Sequence, residues 1–163
     1  MSGAITIRRG GEVDAAALRA IRLEALADTP EAFGSTYDET VAWDDAAWRD
    51  VAGRWTFFLA EDEERPVGMV TGGRHDNYPG TWWLFGMYVV PALRGAGVAE
   101  RLVARVGDWA RDEGASELHL HVTELVPRAR AFYEKVGFRA TGEVASLHRD
   151  AAVGLVTLVL GLG

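Results

Sequence analysis

Met87-Tyr88-Val89-Val90-Pro91-Ala92-Leu93-Arg94-Gly95-Ala96-Gly97-Val98-Ala99 is the stretch that decides the fold, because an apolar β-rich run passes through a glycine-bearing turn straight into helical spacing. The helix reads from Gly95 to about Glu113, with Val98, Leu102, Val106 and Trp109 as its core stripe and Gly114 placed to stop it. The first amides of such a helix have no internal acceptor and stand at the positive end of its dipole. The turn therefore presents several donors to one anion, and Gly95 and Gly97 let the backbone approach it closely. A P-loop would carry Lys-Ser/Thr after its glycines, where Val98-Ala99 stand. A dinucleotide fold would carry a third glycine at Glu100 and a full set of parallel βαβ units, of which one is present, although Glu117 falls near the distance of a ribose-binding acid.

Working outward, Ile5 to Arg8 reads as a strand, and Asp14 is placed to cap a helix carrying Leu18, Ile21, Ala25 and Leu26, which Asp28-Thr29-Pro30 ends. Trp43 to Trp48 opens a second short helix. Trp55–Glu61 and Val67–Arg74 form a hairpin about the polar turn Asp62 to Pro66, and Thr81–Val90 follows the turn Asn77-Tyr78-Pro79-Gly80. Downstream, Leu118, Leu120 and Val122 alternate as a strand. Pro127 opens a helix carrying Ala129, Phe132, Tyr133 and Val136 that ends at Gly137, and Phe138–Leu147 and Ala151–Leu160 supply two closing strands. The order β-α-α-β-β-β-α-β-α-β-β is an α/β arrangement with a mixed sheet, read as one domain over 1–163.

Composition excludes several function classes. No cysteine is present, so thiol nucleophiles, disulfides and thiolate metal sites are out, which fits a cytoplasmic location. The first eight residues, Met1 to Arg8, lack the apolar run of a secretory signal, and the apolar stretch Ala151–Gly163 is far shorter than the ~20 residues that span a bilayer. No membrane partner is expected. A net charge of −7 disfavours nucleic acid and suits a cationic or neutral partner. His119 and His121 share a strand face, but no third ligand accompanies them, so no metal is expected.

Arg94-Gly95-Ala96-Gly97-Val98-Ala99 resembles the Arg/Gln-x-x-Gly-x-Gly/Ala motif of the GNAT acetyltransferase superfamily. Ala129-Arg130-Ala131-Phe132-Tyr133-Glu134-Lys135-Val136-Gly137-Phe138 is similar to its second hallmark, a helix ending in Tyr-Glu-Lys-x-Gly-Phe. The resemblance follows element order from about residue 3 to 161, with its specific residues between about 81 and 139. It implies a mostly antiparallel sheet of about seven strands with about four helices, splayed between the fourth and fifth strands. It implies acetyl-CoA as cosubstrate, held along Met87, Tyr88 and Val89 and by the turn Arg94, Gly95, Ala96, Gly97, Val98 and Ala99, with Ala129 and Phe132 beside it.

The resemblance also makes Tyr133 the general acid toward the leaving sulfur, and direct transfer to an amine of a small molecule or peptide the reaction. Homodimers are frequent in the superfamily. Two positions depart from its pattern. Val126 replaces the usual Asn ahead of the second hallmark, and the fourth strand carries Trp82, Trp83, Leu84 and Phe85 where many relatives place a glutamate. The general base is accordingly sought at Glu124 and His121, ahead of Glu24, Glu31 and Asp76. A non-catalytic acyl-CoA-binding module is the alternative reading.

Overall fold

A computed structural model describes residues 4–163. Seven strands form one sheet: β1 (Thr6–Arg9), β2 (Thr56–Asp62), β3 (Arg65–Gly73), β4 (Trp82–Val89), β5 (Glu117–Thr123), β6 (Arg139–Leu147) and β7 (Asp150–Gly161), in the order β1-β2-β3-β4-β5-β7-β6. Every neighbouring pair is antiparallel except β4 and β5. Five helices flank it: α1 (Ala15–Asp28), α2 (Tyr37–Val41), α3 (Asp45–Arg54), α4 (Val98–Asp112) and α5 (Pro127–Lys135).

The helix beyond the expected four is α2. Thr36 caps it by accepting from the Glu39 amide at 3.2 Å, and Asp38 and Glu39 favour its first turn. Asp14 does precede α1, but its carboxylate takes the Gly11 amide and the Arg8 guanidinium instead of capping the helix. Helix α4 begins at Val98 and not at Gly95, since Gly95 and Gly97 hold φ of 83° and 89°, outside the helical region. None of the described helices is long and apolar enough to cross a membrane.

The sheet is covered on both faces. Gly68 and Gly72 of β3 let α4 lie close: a Cβ on Gly72 would sit 2.8 Å from the Trp109 ring, and one on Gly68 would sit 3.3 Å from Leu102. A Cβ on Gly86 would instead meet Arg22 of α1 and Thr71, so α1 covers the opposite face. Leu18, Ile21, Leu102, Val106, Leu118 and Leu120 are buried in the core so formed.

Two irregularities in β4 open the site. Met69 pairs with Tyr88 while Thr71 pairs with Phe85, so β4 carries one extra residue at Gly86-Met87, a bulge made feasible by the φ of 57° at Gly86. β4 and β5 are paired only at Trp82↔Leu118 and Trp83↔His119. From Leu84 onward the two strands part, which is the splay expected between the fourth and fifth strands.

Candidate active site

The glycine turn spends some of its amides on itself. Leu93 donates to Val90 at 3.0 Å, Arg94 to Pro91 at 3.2 Å and Ala96 to Leu93 at 3.3 Å. Among the described residues this leaves the N–H groups of Gly95, Gly97, Val98 and Ala99 without a protein acceptor, at the N-terminus of the 15-residue α4. Ala96, expected to donate with them, is already committed. The Val98 side chain lies in the core, so only its backbone can serve a ligand.

Arg94 is engaged as well. Its Nε donates to the Val89 carbonyl at 3.1 Å, and Nη2 to Asp28 at 2.8 Å, which joins the turn to the end of α1. That bond is the main reason the Asp28 carboxyl titrates below its usual range, with the Thr29 hydroxyl second.

A groove of about 430 Å³ runs from this turn along the unpaired edge of β4. Met87, Tyr88, Val89, Arg94, Gly95, Gly97 and Ala99 line it, facing Ala129, Phe132 and Tyr133 on α5. Arg128 and Lys135 add two cations that the sequence reading missed, and Glu100 adds an anion. Tyr88 is buried beneath the groove, and desolvation, with Asp28 and Glu24 nearby, pushes its phenol up to about 12.

A second cavity of about 540 Å³ lies behind the first, and the two share the wall formed by Ala32, Phe33, Met87, Val126, Ala129 and Tyr133. Tyr133 stands in that wall with its ring edge-on to Phe132 and Phe138, at centroid distances of 5.3 and 5.5 Å. Packing with Phe132 and facing the cavities are thus both true of it. Burial raises its hydroxyl well above an ordinary phenol, so it stays protonated, as an acid must. Val126, which opens α5 without a side-chain cap, fills the same wall with aliphatic surface where an amide was expected.

His121 lines the second cavity among aromatic rings: Trp83 at 4.7 Å, with His75 and Tyr78 each at 5.8 Å. Its Nε2 is buried without a hydrogen-bond partner. Burial, helped by the neighbouring imidazoles of His75 and His119, pulls its pKa below the ordinary histidine value. The shift favours the neutral imidazole, the form that can accept a proton.

Glu124 is placed elsewhere. Its carboxylate folds over Gly154, 3.1 Å from where a Cβ there would lie, and it borders a smaller cavity of about 260 Å³ with Arg130 and Glu134. Glu24 reaches the Tyr88 hydroxyl at 3.5 Å. Neither these acids nor Glu31 and Asp76 line the cavity that holds His121, and among the described residues no Asp or Glu does. Its ionisable groups are Arg22, His75, His121, His148, Tyr78 and Tyr133. The excess negative charge of the chain lies outside this cavity. Arg149 ties the β6–β7 turn across the cavity by donating to the carbonyls of Pro30 and Phe33 at 2.9 and 3.0 Å. Among the described residues no cluster of three or more His, Asp or Glu is arranged to hold a metal.

Residues 18–138 match the model of the acetyltransferase (GNAT) family, a span that contains the turn, the splay and α5. The chain belongs to that family. It is 30% identical over 149 residues to the aminoglycoside N(6')-acetyltransferase type 1 of Stenotrophomonas maltophilia, covering 88% of this chain and 92% of that protein. It is 37% identical over 90 residues to human N-acetyltransferase 8, covering 53% of this chain but only 40% of that longer protein. An acetyltransferase from Salmonella typhimurium, solved with its cofactor acetyl-CoA, superposes with a TM-score of 0.72 at 22% identity, over 99% of this chain and 95% of that one. The GNAT turn motif is thus embedded in the GNAT fold from end to end.

Proposed function

We propose that the protein is an acetyl-CoA-dependent N-acetyltransferase that moves the acetyl group directly from the thioester to a primary amine of a small molecule or peptide. The observation that carries this reading is the shared wall. A groove fed by free helix amides and a separate cavity meet at one buried, protonated tyrosine. Acetyl-CoA in the groove would place its pyrophosphate on the free amides of Gly95, Gly97, Val98 and Ala99 and its pantetheine arm along Met87 to Val89, paired with the unpartnered edge of β4 as an added strand.

The amine enters from the other cavity. A lysine-like amine with pKa ~10.4 is only about one part in 10³ neutral at pH 7, so a proton acceptor is needed. His121, which lines that cavity, takes that role. The amine nitrogen attacks the carbonyl carbon, the new C–N bond forms as C–S breaks, the proton lost from nitrogen passes to His121, and the Tyr133 hydroxyl gives its proton to sulfur. A backbone N–H on the splayed edge of β4 stabilises the developing oxyanion. No acetyl-enzyme is formed.

The test is calorimetric titration of the purified protein with acetyl-CoA, followed by thiol release against a panel of amines that includes an aminoglycoside. Micromolar binding with amine-dependent release supports the transferase. Binding without release from any amine supports the alternative, a non-catalytic acyl-CoA-binding module. No binding overturns the assignment of the turn.

A further inference from the structure

Arg22 projects from α1 into the second cavity with nothing to neutralise it. The described ion pairs engage Arg8, Arg54, Arg94, Arg111 and Arg130, and Arg101, Arg105 and Arg149 donate to backbone carbonyls. The Arg22 guanidinium has only the Phe33 ring, 5.1 Å away, and among the described residues no hydrogen bond or ion pair. Desolvation draws its pKa down to about 10, which still leaves it charged at neutral pH. A half-buried cation without a counter-ion is unfavourable in a resting protein, and it is retained here at a place the fold has shaped for it.

That shaping is visible at the bulge. A Cβ on Gly86 would stand 2.9 Å from Arg22 Nη1, so the absence of a side chain there is what admits the guanidinium. The flanking groups set the distance to the chemistry. Phe33, 5.1 Å from the guanidinium, and Met87, the residue after Gly86, both belong to the wall shared with the acetyl-CoA groove, so an anion on Arg22 lies on the side of the cavity that borders this wall. Around it the cavity offers no carboxylate, so the Arg22 charge stands uncompensated and favours one anion over a polycation.

Resting on the acetyltransferase reading above, we propose that the acceptor is an amine that also carries a carboxylate, of amino-acid size, and that Arg22 is the anchor for that carboxylate. The planar guanidinium meets both carboxylate oxygens at once, which orients the amine toward the shared wall. A cavity of about 540 Å³ suits a molecule of this size. The aromatic group of His75, Tyr78 and Phe85 would face its side chain.

The experiment compares L-phenylalanine with L-phenylalaninamide and L-methionine with L-methioninamide at about pH 8, where Arg22 is charged, with each rate referred to the neutral fraction of its amine and kanamycin as the polycationic arm. The wild type is expected to favour each acid over its amide by about tenfold or more in kcat/KM, the size of one charge-assisted pair, with the difference mostly in KM. Arg22→Gln is expected to bring that ratio to about one, and Arg22→Lys to keep part of it. A wild-type ratio of one or below, equal loss on acid and amide in Arg22→Gln, or faster turnover of kanamycin than of either acid overturns the proposal.

Acetyl-CoA titration reports whether each variant is folded, and the wild-type ratio stands even where a variant is not. Should no amine release thiol, the transferase reading fails by itself, and the anchor is read from calorimetry of the CoA-saturated wild type with N-acetyl-L-phenylalanine and its amide. Tighter binding of the acid supports the anchor, and equal or absent binding overturns it.

Discussion

The groove beside Gly95 and Gly97 and the cavity behind Tyr133 share one wall but are built from different material. The groove offers main-chain donors from a single continuous strand, turn and helix, whose geometry is dictated by two glycines at positive φ. The cavity offers side chains from α1, the loop after it, the β3–β4 and β6–β7 turns, β4, β5 and α5. A backbone cradle tolerates almost any side chain at its positions, whereas each residue of the cavity is separately replaceable. The two halves should therefore break differently under mutation. The wall between them, where one group serves both, should break hardest.

Tyr133→Phe tests that wall. Removing the hydroxyl while keeping the ring packed on Phe132 and Phe138 should lower kcat about 10³-fold, within the range of general acid catalysis, with acetyl-CoA affinity little changed. Turnover with the best amine, measured beside calorimetry, checks this; a kcat within threefold of the wild type would remove Tyr133 from the acid role.

His121→Gln should lower kcat/KM about 10²-fold at neutral pH. The depressed pKa gives the pH dependence its sign. The imidazole is a competent base above its own pKa, which lies below the ordinary value of ~6.5, and it fails only as pH falls through that lower value. The ratio of wild-type to mutant rates cancels the titration of the amine. It is expected to be flat above pH ~6.5 and to drop toward one below it. A midpoint on the alkaline side of 7 would show that another group carries the proton.

The same contrast of materials decides what the sequence could disclose. Local backbone chemistry is written contiguously, so Arg94 to Ala99, the β-α order and the helix bearing Tyr133 could be read from spacing and from family resemblance. The splay was expected on resemblance, and the Gly86 bulge beside it lies in a run of aromatics that reads as an ordinary strand. The cavity is assembled from residues that are distant in the chain: Arg22, His75, Tyr78 and His148 carry no mark of their common destination. Glu124 and His121 are close in sequence, yet the end of β5 turns one carboxylate over Gly154 and the other side chain toward Trp83. Net charge is a sum over a surface that the cavity does not sample, so it carries little about the cavity's own lining.

A smaller effect is expected within the cradle itself. Gly97→Val forces a β-branched residue to a φ of 89°, a strain of ~1–2 kcal/mol that either opens the turn or tilts its amides, and acetyl-CoA affinity should fall about tenfold. Ala96→Val is the paired control. Its N–H already serves Leu93 and its methyl is exposed, so the loss should stay below about threefold. Equal losses at the two positions would mean that side-chain bulk, and not the aim of the free amides, governs the groove.

The smallest effect belongs to the link between the groove and α1. Asp28→Asn removes the 2.8 Å pair with Arg94, whose two side chains are 34% and 32% exposed. Water screens a pair so placed, so it contributes at most ~0.5 kcal/mol at neutral pH, or a lowering of Tm by about 1–2 °C. The folded-state pKa of Asp28 is depressed by Arg94 first and Thr29 second, so this stability is present above the unfolded carboxylate value of ~3.9 and is lost as pH falls through the lower folded value. Melting curves of wild type and Asp28→Asn should therefore converge in acid. Acetyl-CoA affinity should change by less than about threefold, because the Nε bond from Arg94 to the Val89 carbonyl still holds the turn. A larger fall in affinity than in Tm would show that Asp28 positions Arg94 for the phosphates, and the cradle would then depend on a side chain after all.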